Sequence, residues 1–305
     1  MGLLDYYKMK LGISDMPEFL KKYLELPIIE RLKNITYLCG MDYASKKIYD
    51  FKEPISRYDH SLTTALMTWK LTGDKNATIA ALHHDVSTPC FSHVIDFMNG
   101  DYLIQESTEK YIGDILSNNV DLANALKEDN VNMSDIINFK QYSVVDLERP
   151  KLCADRIDGI ILTGISWTKN VDEEKIDKIV DSLDVYENED GKPEIGFNNE
   201  DAALDALLIN NAIYVLCISK ADNYMMELLA NITASAIKSG YVDYESLYTM
   251  TEKQVLDIFN KIDNKDIQGM LYDFYNMDSK SIPTGYEKPK VKQRTINPLV
   301  CGERM

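Results

Sequence analysis

The chain has 305 residues, 45% of them hydrophobic, with 33 basic against 49 acidic side chains and a net charge of −16. The apolar share excludes global disorder. So acidic a chain is a poor wrapper of duplex DNA, whose phosphates need clustered Lys and Arg, although a small anion in a locally positive pocket stays open. Five scattered cysteines without a C-x-x-C pair argue against a disulfide framework and a zinc ribbon. The N-terminus lacks an uninterrupted apolar signal region, and no run approaches the about 18 apolar residues of a membrane span. The expectation is a soluble cytoplasmic protein with neither duplex nucleic acid nor membrane as partner.

Along the chain, helical spacing dominates. Residues 17–38 carry Phe19, Leu20, Tyr23, Leu24, Ile28, Ile29, Leu32 and Ile35 at intervals of three and four, which predicts two helices broken near Pro27. Two short helices follow over 60–72 and 76–86, separated by Gly73-Asp74, with further short helices over 107–127 and 134–139. Asp190-Gly191 marks a tight turn between VYENE and EIGF, hence a small β element over 183–197. From Asp201 to Lys238 the pattern is helical for nearly the whole stretch, with Gly240 placed to stop it. Thr251 and Gln254 form a capping box ahead of Val255, Leu256 and Phe259.

The tail reads differently. In KPKVKQRT, Lys288, Lys290, Lys292 and Arg294 recur at every second residue, one face of a strand near 288–296. Two readings stand: an edge strand kept soluble by lysines, or a positive lip that meets an anionic ligand or another subunit. With no repeat and no low-complexity linker, one mainly α domain spanning 1–305 is expected, although length alone leans towards two. Its parts are a core over about 25–170 and a helical extension with tail over about 200–305.

All four histidines lie between positions 60 and 93: His60, His83, His84 and His93. His60 follows Arg57 in RYDHS, His84 precedes Asp85 in LHHDV, and ADRID spaces Asp155 and Asp158 for one helix face. Two imidazoles and two carboxylates make a mixed N/O set suited to one divalent ion such as Mn, Fe, Ni, Zn or Mg. Such an ion acidifies bound water and neutralises phosphate charge.

Together these segments resemble the HD-domain metal-dependent phosphohydrolases, most closely the branch of the deoxynucleoside triphosphate triphosphohydrolases. The likeness runs from about residue 25 to residue 300, through LPIIERLKNITYL, RYDHSL, LHHDVSTPCFSH, LCADRID and the tail KVKQRTINPLV. It implies an HD-type helical bundle and His60, His84, Asp85 and Asp155 as metal ligands. Arg57 matches a phosphate-contacting arginine, with a surface salt bridge as its other reading. His93 matches a histidine near the substrate phosphates, with a core role as its other reading. His83 lies beside the motif and points about 100° away from His84 on a helix, which suits packing.

The sequence also departs from that pattern. Thr88 stands where the resemblance implies a proton-donating histidine, and Gln105-Glu106 stands where it implies a His-Glu pair. Gly159 and Thr163 replace a tyrosine and an aspartate that contact sugar and phosphate. Thr88 can orient a water but is no acid near neutral pH. Asp96 and Glu106 join His93 as acid/base candidates. The resemblance therefore implies a metal-dependent phosphohydrolase acting on a nucleotide or related phosphate ester, with a dNTP triphosphohydrolase as the leading subtype. The lost imidazoles support an alternative, a nucleotide-sensing protein with little or no turnover. Relatives of this kind are commonly oligomeric, and the apolar stretch 203–239 exceeds what one helix face needs, so a homo-oligomer is expected.

Overall fold

The computed structural model describes all 305 residues. Fifteen α-helices and four short strands follow in order. The first nine helices are α1 (Leu3–Lys10), α2 (Glu18–Leu24), α3 (Pro27–Glu30), α4 (Arg57–Thr72), α5 (Lys75–His83), α6 (Val94–Met98), α7 (Ile112–Ser117), α8 (Val120–Glu128) and α9 (Met133–Ile137). Then come α10 (Ala154–Thr163), α11 (Glu173–Ser182), β1 (Leu183–Glu187), β2 (Pro193–Phe197), α12 (Glu200–Cys217), α13 (Lys220–Lys238), α14 (Glu252–Phe259), α15 (Lys265–Asn276), β3 (Leu299–Val300) and β4 (Glu303–Arg304). The protein is thus mainly α-helical with one small mixed sheet.

Local signals explain most boundaries. Ser56 accepts from the Asp59 amide and Asp59 returns the bond, so a capping box starts α4 just ahead of His60. Gly73 adopts the left-handed conformation after α4, and Asp74 caps α5. The break near Pro27 is real, with proline in the first turn of α3. Thr251 and Gln254 form the expected capping box of α14.

Three expectations need correction. The stretch 107–127 holds two helices, α7 and α8, because Asn119 caps a new one. The long helix over 201–238 is two helices bent by 58°, since Ser219 accepts from the Asp222 amide and starts α13 afresh. No single helix is long and apolar enough to cross a membrane. The tail over 288–296 forms no strand; the C-terminal strands lie beyond it, at β3 and β4. Lys292 and Arg294 are drawn instead to the 102–105 loop, where Lys292 Nζ donates to Ile104 O at 2.7 Å and an Arg294 Nη donates to Gln105 Oε1 at 2.9 Å.

The hairpin forms as expected, with β1 antiparallel to β2, Leu183 opposite Phe197 and Gly191 in the left-handed region. β3 then pairs parallel with β2 and antiparallel with β4. The fully buried Glu194 locks this sheet to the chain entering α10. Its Oε1 accepts the Leu152 amide at 3.1 Å, and both its oxygens accept the Arg304 guanidinium, at 2.5 and 2.8 Å.

The apolar interior divides into two cores. The larger packs α1, α4, α5, α10 and α12 with the sheet, through residues such as Tyr7, Leu66, Ile79, Ile157 and Ile209. The smaller joins residues of 35–49 and 90–97 to α13, α14 and α15, through residues such as Tyr49, Phe91, Leu229 and Phe274. A cavity of about 700 Å³ lies between them, touched by Phe139, Ile160 and Ile213 from one side and by Met41, Tyr49, Phe97 and Met226 from the other.

The Glu194–Arg304 lock gives a stability test. Removing one partner of a buried two-pronged pair leaves an uncompensated charge, so Arg304→Ala should cost about 3 kcal/mol in urea unfolding. A loss below about 1 kcal/mol would show that Leu152 and Asn188 satisfy Glu194 without the arginine.

Candidate metal centre

Helix α4 presents His60, the end of α5 presents His84, and the first turn of α10 presents Asp155. His60 Nδ1 donates to Asp158 Oδ2 at 2.7 Å, which directs Nε2 towards Asp155 Oδ1, 3.0 Å away. His84 Nδ1 donates to Ala81 O at 2.6 Å, leaving Nε2 as an acceptor 3.6 Å from the same Asp155 oxygen. That His84 Nε2 is buried and has no hydrogen-bond partner. Two imidazole nitrogens and one carboxylate oxygen, all within 4.8 Å of one another, form a set that could hold a metal ion. The orphaned His84 nitrogen shows that these residues fit such a group, because a buried acceptor without a donor is costly unless something else occupies it.

Asp85, the fourth expected ligand, stands at the edge of this set. Its Oδ2 lies 3.9 Å from His60 Nε2 and accepts from Arg57 Nη1 at 2.8 Å. Its Oδ1 accepts from the Thr88 hydroxyl at 3.1 Å. Thr88 is therefore a buried holder of Asp85 and not a group that faces the cavity.

The electrostatics follow from this crowding. Burial opposes a charged His60, but bonds to Asp155 and Asp158 outweigh it and lift its pKa to about 10 in the ion-free site. Burial likewise opposes ionisation of Asp155 and Asp85. The hydrogen bond from His60, with the nearby His84 ring, holds Asp155 well below the usual carboxylate range, and the Arg57 charge does the same for Asp85. His83 packs edge-on against Tyr23 outside the cavity, and burial lowers it to about 4, as suits a packing residue.

Arg57 is buried, stacks over the Tyr37 ring at 4.9 Å, and lines the cavity beside the cluster. It is an internal ion pair with Asp85 and not a surface one, and its buried Nε has no protein partner. His93 also lines the cavity. Its Nδ1 donates to Asp96 Oδ2 at 2.8 Å, so Nε2 is the atom free for exchange. Burial lowers the His93 pKa, and the Asp96 carboxylate opposes that shift.

Two acid/base candidates fall away. Asp96 is 1% exposed and outside the cavity wall, and its other oxygen accepts the Ser107 amide at 2.9 Å, so it orients His93. Glu106 is exposed and lies outside the cavity wall. A left-handed Gln105 (φ 61°) turns the chain so that Gln105 faces inward and its neighbour outward. The tyrosine that the resemblance implies at position 159 would displace Tyr37, because a Cβ at Gly159 would lie 2.6 Å from the Tyr37 hydroxyl.

Sequence reasoning missed Arg149 in the wall and reached Lys292 and Arg294 only through the second reading of the tail. Arg149, Lys292 and Arg294 face the cavity with no carboxylate in salt-bridge distance; their bonds go to Thr295 O, Ile104 O and Gln105. Burial, reinforced by Arg156 and Arg294, pulls Arg149 down to about 10. The alternation of KVKQRT was the one signal for two of these, as a positive lip. Asp222 and Trp167 carried no motif at all.

No family model matches the chain. Over 288 residues it is 22% identical to YdhJ, an uncharacterized protein of Bacillus subtilis (strain 168), covering 92% of this chain and 83% of that one. The structure is similar to the crystal structure of a hypothetical protein from Aquifex aeolicus, with a TM-score of 0.63 and 16% identity over 85% of this chain and 72% of the other. That likeness is one of fold.

His60→Ala or Asp155→Ala should abolish stoichiometric divalent metal, measured by plasma emission on purified protein, while circular dichroism stays that of the parent. Asp158→Asn should weaken metal binding by about 10- to 100-fold, since a partner that orients a ligating imidazole is removed. Full occupancy in both alanine variants would exclude this centre.

Proposed function

We propose that the protein is an HD-domain metal-dependent phosphohydrolase acting on a nucleotide or related phosphate ester, with release of triphosphate from a dNTP as the leading subtype. The observation that carries this reading is the convergence of two imidazoles and a carboxylate at the wall of a cavity that also holds unpaired cations. A stripe of unpaired cations suits a substrate with several phosphates better than one with a single phosphate.

His60, His84 and Asp155 would hold one divalent ion, with Asp85 beside them. Such an ion, when bound, supplies Lewis-acid stabilisation of phosphoryl charge and a more acidic water. Arg57 is held at Nη1 by Asp85 and keeps other donors for a phosphoryl oxygen. Arg149, Lys292 and Arg294 neutralise the remaining phosphates along the wall. His93, with Nδ1 fixed by Asp96, exchanges a proton at Nε2 with the reacting group or its water.

Turnover is tested by supplying Mn to purified protein, offering a panel of nucleotides, and using product detection that separates triphosphate from orthophosphate. Stoichiometric metal with no turnover of any phosphate ester would favour the nucleotide-sensing alternative. His93→Ala should reduce turnover by at least about tenfold with metal content unchanged. Burial keeps His93 neutral at pH 7 by lowering its pKa, so turnover should fall as pH drops below the ordinary imidazole range. The alanine variant should lose that acidic limb; a parental pH profile in the variant removes His93 from the mechanism.

The assembly is proposed to be a homo-oligomer. Leu204, Leu208 and Val215 lie 42%, 63% and 63% exposed along one side of α12, an apolar stripe that water does not favour. Light scattering at micromolar concentration should exceed the monomer mass, and Leu208→Glu should return it to monomer. A monomer mass for the parent protein excludes the assembly.

A further inference from the structure

Asp222, in the first turn of α13, is a carboxylate in a mostly apolar recess of the same cavity. Its Oδ1 accepts the Tyr49 hydroxyl at 2.8 Å, and no other side chain donates to it. The nearest guanidinium, that of Arg294, is turned towards Gln105. A carboxylate withdrawn from water without a cation or a set of donors is costly, and such groups concentrate at binding sites.

The recess around it suits a flat apolar ring. Phe51 and Trp167 are half-buried with ring centroids 5.6 Å apart, and Tyr49 packs against both at 5.2 and 5.9 Å. Ile160, Ile213 and Met226 are apolar residues of the same cavity. One side of α10 and its π-helical continuation, through Asp155, Gly159, Thr163 and Trp167, runs along the cavity from the metal centre to this recess. At the helical rise that climb is about 18 Å, long enough for an extended nucleoside triphosphate with its phosphates at Asp155 and its base at Trp167. π-turns of this kind recur at functional sites.

We propose that the aromatic recess binds the substrate's base and that Asp222 reads it, favouring guanine. This rests on the nucleotide reading given above. Burial lifts Asp222 to about 7, and above that pH its ionised carboxylate offers about four lone-pair sites, of which Tyr49 takes one. Guanine presents two adjacent donors, N1–H and the exocyclic amine, which match a carboxylate edge. Thymine and uracil place carbonyls on both sides of their single N–H, against the negative charge. Adenine and cytosine pair one amine with a neighbouring acceptor.

The test is calorimetric binding of nucleosides to the full-length protein at pH 8 in EDTA, where Asp222 is ionised and neither metal nor turnover takes part. Deoxyguanosine should bind at least about tenfold more tightly than deoxyinosine, which lacks the 2-amine, and than thymidine. In Asp222→Asn, with parental circular dichroism, that preference should shrink to about threefold or less. Equal affinities in the parent, no binding in the parent, or an undiminished preference in the variant would each overturn the assignment. Should the variant not fold, the deoxyguanosine-to-deoxyinosine ratio in the parent decides alone. Hydrolysis of nucleotides alongside equal nucleoside affinities would remove only the role of Asp222. A guanine preference without any hydrolysis would remove only the phosphohydrolase reading.

Discussion

The buried carboxylate of Asp158 organises the candidate metal centre. It is fully enclosed, and its two oxygens are taken by the Tyr7 hydroxyl at 2.6 Å and His60 Nδ1 at 2.7 Å. A carboxylate at such depth persists only when fully partnered, so α1, α4 and α10 must meet in one arrangement to supply those partners. That arrangement keeps a proton on His60 Nδ1 and turns Nε2 towards Asp155. Asp85 is fixed by the same logic, between Arg57 and Thr88. The cluster is therefore rigid before any ion arrives, as a site of defined geometry requires.

A second lock sets the opposite wall. Arg31 donates to Met250 O, Thr88 O and Leu247 O, while the buried Glu252 accepts the amides of Thr36 and Phe91, each at 3.0 Å. Burial lifts Glu252 to about 7, and those amides oppose the shift. Between these anchors Phe91 and Ser92 adopt left-handed backbone (φ 66° and 49°), a conformation unfavourable to residues with a Cβ. The two residues turn the chain sharply enough that His93 reaches the cavity from a loop whose neighbours lie in the smaller core. The strain is local, and the bonds to Arg31 and Glu252 hold it.

Much of this was legible in the sequence where the signal was local. The boundary at Gly73-Asp74, the capping box at Thr251 and the hairpin at Asp190-Gly191 follow from residues within one turn of each other. His60, His84 and Asp155 were legible because few side chains suit a metal and their order resembles a known motif. The failures have a tertiary cause. Apolar spacing runs straight through Ser219, so periodicity could not reveal a 58° bend that only Ser219's cap and the two cores impose. Alternating lysines in the tail mimicked a strand, yet side-chain bonds to Ile104 and Gln105 hold that segment across the cavity instead. Glu106 looked like an acid/base group because sequence does not show the left-handed turn at Gln105. Asp222 was invisible, a single carboxylate in a stretch that reads as core helix.

Charge distribution ties the cavity to its surroundings. A net charge of −16 places a negative field over most of the surface, while Arg149, Lys292 and Arg294 stand unpaired inside. These two facts act at different ranges. Beyond about 8–10 Å in physiological salt the summed surface charge is screened, and within the low-dielectric cavity the unpaired cations are not. A long polyanion lying across the surface would meet repulsion along its length, whereas a small anion inside the cavity reaches Arg149, Lys292 and Arg294, which have no carboxylate partner, on a wall that also carries carboxylates such as Asp146 and Asp155. The same carboxylate surplus that opposes a long polyanion at the surface leaves these three cations within reach of an anion small enough to enter the cavity.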